Sequence, residues 1–413
     1  MTTRVRIAGT ASGLALAGLV ALPLAAQDDG GLRLTFGLSA RVESVSNPGL
    51  TVPAEPSTDT LSSRLSFGLT DSTRAGAVSL SVAGTFSADD ADDSTNGLVD
   101  PDLRLSLQRF GADSSVDVSA FINESDLDTL RGLVLDPDTG DIIGDVTGNG
   151  TRRQTGGVLT YSFGKEGPWG GSLTTDLTDT TFSGTTSEID NRRTNLGGTL
   201  RFGLDPATDV TAGLNWSRYD EDGADPRDTL RPELGLQREV PSGVASASIF
   251  AEDTEDGTRA GLSFGRSWDL PDGSLAFSLG GTRGVTGDLS PTGSLEWQKN
   301  LPRSNLSATL RHDVTSDDDD VETIITIVSL GISHAISPVA SVSFGLNASN
   351  SEETATDLTT RNASLSATYS HSLSYDWTLD AGVTHRIQNE EIIGEATSDT
   401  VFLELRRAFE WRP

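Results

Sequence analysis

The chain has 413 residues, no cysteine, and 60 acidic against 30 basic side chains, a formal net charge of −30. Only 35% of its residues are hydrophobic, too few for a globular protein of this length to bury one large core. The lack of cysteine excludes thiol chemistry, disulfides and Cys-ligated metals, and the acidity argues against nucleic acid as a partner because phosphates would be repelled.

Residues 1–26 read as a secretory signal peptide. Arg4 and Arg6 precede an apolar, small-residue stretch from Ile7 to Leu24, and Ala25-Ala26 forms a cleavage edge before Gln27-Asp28-Asp29. Leu24 stands where a small residue is preferred, so the cut is open by a few positions. The alternative is an uncleaved helical anchor, for which the segment is short and Gly-rich. No later apolar run is long enough for a membrane-spanning helix.

Residues 27–413 read as one domain of strands. In the first, Leu32, Leu34, Phe36, Leu38, Ala40 and Val42 alternate with Arg33, Thr35, Gly37, Ser39, Arg41 and Glu43. Period-2 alternation puts one side of a strand in an apolar medium and the other in a polar one. After a long Pro-containing connection (46–60) come Leu65, Phe67 and Leu69, a short turn at 71–75, then Val78, Leu80 and Val82. An acidic loop at 88–101 leads to Leu103, Leu105 and Leu107, a short turn at 111–114, and Val116, Val118, Ala120 and Ile122. The longest connection, 124–152, follows.

From there short turns rich in Pro, Gly, Asp and Ser (164–168, 205–209, 240–243, 270–273, 301–304, 337–338, 372–376) alternate with acidic loops at 220–228, 252–256, 317–320, 352–357 and 390–399. The last hairpin is the clearest: Trp377, Leu379, Ala381, Val383, His385 and Ile387 alternate with polar residues or glycine. Val401, Leu403 and Leu405 return against Glu404 and Arg406, ending at Phe409-Glu-Trp411.

The fold expected is all-β: a closed antiparallel transmembrane β-barrel of about 20 strands, within a range of 16–20, with short periplasmic turns and long acidic external loops. A soluble β-solenoid or adhesin array is the competing class. Tryptophan speaks against it. Trp169 and Trp377 open strands leaving short turns, whereas Trp268, Trp297 and Trp411 close strands approaching them or the C-terminus; only Trp216 lies toward a long loop. Phe67, Phe110, Phe163, Phe202, Phe277 and Phe344 also sit beside short turns, as in an interfacial aromatic girdle.

The signal peptide, the alternating strands and the aromatic-ended last strand resemble bacterial outer-membrane β-barrel proteins of the porin-like kind. The resemblance rests on pattern across nearly the whole mature chain, not on a substrate motif. It implies that the last strand is read by the outer-membrane assembly machinery, although Arg412-Pro413 extends past Trp411. It also implies a bacterial outer-membrane location and passage of small polar solutes or ions. The first strand starts too early to leave room for a large N-terminal plug domain.

With the apolar set toward lipid, the lumen receives Arg33, Arg41, Arg64, Arg104, Arg201, Arg231, Arg311, Arg386 and Arg406, with Asp117, Asp176, Glu233, Glu296, Asp380 and Glu404. They line an aqueous pore, or else form lateral ion pairs that stiffen its wall. The third external loop (124–152) takes, by the resemblance, the place of a porin constriction loop. In it, Leu133-Val-Leu135 and Ile142-Ile143 around Asp136-Pro-Asp-Thr-Gly-Asp141 read as a small hairpin. Asp136, Asp138 and Asp141 could instead ligate Ca²⁺, but the fuller acidic loop pattern is missing. The remaining acidic loops attract cations to a pore mouth, bridge divalent cations to lipopolysaccharide, or keep the loops soluble.

No cofactor, metal site or catalytic set is expected. His312, His334, His371 and His385 are scattered, most of them on the outward register near strand ends, and no serine is singled out for a barrel-wall lipid hydrolase. A non-conducting structural or surface-binding barrel is the main alternative to a channel. Six outward sets end in a cation: Arg109, Lys165, Arg238, Arg266, Lys299 and Arg407. With Trp169, Trp268, Trp297, Trp377 and Trp411 they are expected at the periplasmic-side lipid interface, where long stems snorkel toward headgroups.

Overall fold

A computed structural model describes residues 31–89, 97–127, 132–135, 142–146, 150–185, 188–316, 321–356, 358–391 and 394–412. The region expected to be a signal peptide lies outside them. The strands are β1 (Gly31–Val45), β2 (Thr58–Thr73), β3 (Gly76–Asp89), β4 (Gly97–Phe110), β5 (Ser114–Asp126), β6 (Gly132–Leu135), β7 (Ile142–Val146), β8 (Thr151–Phe163), β9 (Trp169–Ser183), β10 (Asn191–Asp205) and β11 (Thr208–Glu221). They continue as β12 (Arg227–Val240), β13 (Gly243–Thr254), β14 (Gly257–Leu270), β15 (Gly273–Arg283), β16 (Leu289–Leu301), β17 (Ser304–Ser316), β18 (Glu322–Ser337), β19 (Ala340–Glu353), β20 (Thr359–Ser372), β21 (Trp377–Glu390) and β22 (Gly394–Trp411).

Twenty of these strands form one antiparallel sheet in which each pairs with its neighbours in sequence. β1 pairs with both β2 and β22, closing the ring and removing every free edge. The remaining two, β6 and β7, pair only with each other, forming the small hairpin expected within the third loop. Among the described residues, every extensive strand–strand contact is between ring neighbours or between β6 and β7.

Closing a sheet gives its faces opposite curvature: side chains splay apart on the convex face and converge on the concave one. Leu38, Ala40 and Val42 of β1 are exposed, whereas Ser39, Arg41 and Glu43 are half-buried. Leu262 and Phe264 of β14 are likewise exposed while Arg259 and Gly261 are buried. The convex face thus presents a continuous apolar band, far more than a soluble surface tolerates, and the concave face is polar.

At one end the turns are tight, such as Pro241-Ser242 between β12 and β13 and Pro271-Asp272 between β14 and β15. Gly243 (φ +140°) and Gly273 (φ +156°) follow them. A Cβ at either would overlap a carbonyl of the adjacent strand, so only glycine serves. At the other end the loops are shorter than the acidic runs suggest. β11 continues to Glu221, β21 ends at Glu390, and β13 and β14 are joined by Glu255-Asp256 alone. The expected acidic loop at 252–256 is therefore mostly strand, and Glu252 belongs to the barrel wall. Beyond the apolar band both faces of a strand meet water, so alternation fades although the hydrogen-bond ladder continues.

Candidate functional site

The concave face is the candidate site. Register around the ring places Arg33, Arg41, Arg64, Arg104, Arg201, Arg231, Arg311, Arg386 and Arg406 on it, together with Asp117, Asp176, Glu233, Glu296, Asp380 and Glu404. They do not gather into one cluster. Each arginine instead finds a lateral partner: Arg33 with Glu410 (3.4 Å), Arg104 with Asp102 (3.3 Å), Arg201 with Asp209 (3.6 Å), Arg311 with Asp313 (3.1 Å) and Arg406 with Asp380 (2.6 Å). Arg64 donates to the Thr85 hydroxyl (3.3 Å).

Two arginines sit in composite nests that the sequence did not reveal. Arg41 bonds Glu43, approaches Glu404 at 3.9 Å, and lies 3.9 Å above the Phe402 ring. That ring covers Gly382 on the adjacent strand, where a Cβ would fall 2.5 Å from it. Arg231 repeats the scheme: it meets Glu252 at 3.3 Å and lies 4.0 Å above Phe250, whose ring covers Gly261. Arg259 joins the same Glu252, and both of these side chains are buried. Phe121 covers Gly156 in a third such pairing, and Tyr219 lies against Arg227 (4.7 Å) and Arg193 (5.6 Å). The only signal for them is an aromatic on the polar register, directly across from glycine or beside arginine.

At the long-loop end the connection from 46 to 57 is tied to the wall. Asn47 is buried, and its amide oxygen accepts from the backbone N–H groups of Thr51 and Glu55. Its amide nitrogen donates to the carbonyls of Thr51 and Thr397 (both 3.1 Å). Arg386, from the concave face of β21, donates to the Pro48 carbonyl (3.3 Å). This loop therefore reaches over the rim of the lumen. In the third loop Leu127 is fully buried and its N–H bonds the Gly150 carbonyl (2.9 Å). Asp136, Asp138 and Asp141 lie outside the described residues.

On the convex face, Arg109, Arg238, Arg266, Lys299 and Arg407 continue the apolar register near the tight-turn end. Lys165 does not. β8 ends at Phe163 and the chain leaves the sheet, so Lys165 lies exposed in the turn before Trp169. Trp169, Trp268, Trp297, Trp377 and Trp411 all lie at that same end. All four histidines lie on the convex register. Ser304 and His334 touch (2.8 Å) at the tight-turn end, and His385 and Asp399 (2.7 Å) near the other. These two contacts are too far apart to form a single Ser–His–Asp set.

No protein-family model matches the chain, and no curated protein matches it either. Solved structures do. A mutant of the ferric enterobactin receptor of Pseudomonas aeruginosa is 11% identical with a TM-score of 0.51, covering 93% of this chain and 81% of that one. The copper transporter OprC gives the same identity, TM-score and coverage. OpdK of Pseudomonas aeruginosa, solved with vanillate, is 10% identical over 92% of this chain and 99% of that one, with a TM-score of 0.44. At such identities the likeness is one of fold: the chain is a β-barrel of the outer-membrane kind.

Proposed function

We propose that this protein is a bacterial outer-membrane channel for passive diffusion of small polar solutes or ions. One observation carries the reading: a closed ring of twenty strands with a hydrophilic concave face. A ring of this strand number spans roughly 35–40 Å between opposite backbones, wider than side chains from the two walls can fill. Pairing of most inward arginines with neighbouring acids leaves a wall of alternating charge, which suits small polar solutes and ions.

The alternative barrel, structural and non-conducting, draws support from the same lateral pairs, which stiffen the wall. Planar-bilayer recording separates the two. Purified, folded protein is expected to give discrete, ohmic conductance steps. A folded barrel that inserts without conducting overturns the channel reading. No catalytic role is proposed. The lipids of the bilayer, the assembly machinery acting on β22, and small solutes are the proposed partners.

A further inference from the structure

Five cations on the convex face near the tight turns contrast with a chain whose formal net charge is −30. Two of them share a level. Arg238 on β12 faces Ala245 on β13, and Ala245 faces Arg266 on β14. Their Cα atoms are thus two strand spacings apart, about 10 Å. Only the Ala245 methyl lies between them.

Arg266 leans across this gap. Its Nη2 donates to the Pro241 carbonyl of the β12–β13 turn (3.0 Å), and its guanidinium lies 5.3 Å from the Trp268 ring. Trp268 is stacked on Phe277 with centroids 5.6 Å apart, so the platform is itself fixed. Nη1 of Arg266 is buried without a hydrogen-bond partner. Arg238 is exposed and makes no hydrogen bond or ion pair among the described residues. Of the neighbouring acids, Glu239 and Asp269 fall on the opposite register. Asp205, at the end of β10, accepts from the Ala207 N–H (2.8 Å) and attracts Arg238 from beyond ion-pair distance.

Away from the turn, the groove continues in apolar form. Leu236 and Phe264, both exposed, flank Ala247, and Leu234 and Leu262 flank Ile249. Two alanines on β13 between larger residues on both sides make a shallow channel along the strand, headed by two guanidinium groups. The other outward cations lack this form: Arg109 and Lys299 have no second cation at their level, and Arg407 lies 4.0 Å from Asp376.

We infer that this outer wall binds one anionic glycerophospholipid, its phosphate between Arg238 and Arg266 and an acyl chain along Ala245 and Ala247. The site needs only that the barrel stand in a bilayer and is independent of what passes through the lumen. The chemistry fits: guanidinium groups bind phosphate oxygens through paired N–H donors, and an anionic headgroup answers two cations where a zwitterionic one does not.

The test is native mass spectrometry of the full, folded chain released from micelles. The micelles carry equal phosphatidylglycerol and phosphatidylcholine of matched chains. Heat-dependent gel mobility verifies folding. The expected result is one phosphatidylglycerol retained roughly tenfold over phosphatidylcholine, reduced to parity in R238Q/R266Q. R109Q/K299Q is expected to keep the preference. Ala245→Trp leaves both arginines in place and is expected to abolish the adduct by filling the groove. Retention of the preference in R238Q/R266Q, or of the adduct in Ala245→Trp, overturns the site. Equal retention of both lipids by the unaltered chain also overturns it.

Discussion

Glu252 accepts from two arginines at once, Arg259 on the next strand and Arg231 on the one before. Its side chain and that of Arg259 are 7% and 6% exposed, so little water is at hand to replace a lost partner. Arg259 already has Nε and Nη1 buried without partners, so removing the carboxylate leaves a nearly enclosed cation. Glu252→Gln is therefore expected to destabilise the folded barrel by about 3 kcal/mol, the cost of breaking one side of a buried pair. Urea-dependent unfolding in lipid vesicles measures it. The isolated pair Arg104–Asp102, with Arg104 66% exposed, serves as the contrast: Asp102→Asn is expected to change little. From sequence, the acidity of 252–256 suggested a loop. The register that brings Glu252 opposite Arg259 depends on a two-residue turn, Glu255-Asp256, which carries no Pro or Asn and has Gly257 only at its exit. The inward phenylalanines escaped for another reason. Alternation assigns a large apolar side chain to lipid, and only the partner strand's glycine shows that Phe250 and Phe402 have room inside.

Among elements, the apolar runs marked the strand centres because lipid on one side and water on the other impose period 2. Their outer ends left no such mark. β1 and β2 pair from Gly31–Ser72 through to Val45–Thr58, well beyond the stretch where Leu and Phe alternate. The tight turns were legible because Pro and Gly are demanded by backbone geometry, whereas the longer loops carry only acidity, which fits strand margin and loop alike. The first long loop illustrates what acidity hides. Its anchor is one neutral residue, Asn47, whose φ of +45° is one that asparagine tolerates better than most. Asn47→Ala removes the side-chain bonds to Thr51, Glu55 and Thr397 and leaves their backbone groups to water. Limited proteolysis is expected to nick the segment 46–57 several-fold faster in this variant while the barrel stays folded. Equal nicking rates would mean that Arg386 on the Pro48 carbonyl suffices to hold the loop.

For the whole molecule, the even strand count, the placement of both ends of the sheet at the tight-turn end, and closure of β1 on β22 follow from the alternation of short and long connections. What alternation cannot convey is how the interior is occupied, because residues facing water and residues facing a folded-in loop are equally polar. The β6–β7 hairpin bears on this. A two-stranded hairpin is not stable alone in water, so it needs a surface to rest on. On the concave wall Ile325 is 1% exposed and Thr323 and Thr282 are buried at the same end, where the β15–β16 turn reaches β18 and the Val285 N–H donates to Glu322 (2.9 Å). A hairpin that returned into the lumen would rest on this polar wall and narrow the channel. Deleting residues 129–148 and joining the ends with two glycines is then expected to raise single-channel conductance by roughly half or more, since conductance follows the open cross-section. It is also expected to make the channel less stable to heat by removing the hairpin's packing against the wall. An unchanged conductance with unchanged heat stability would place the hairpin outside the barrel, and the interior would owe its shape to the wall arginines and the Asn47 loop alone.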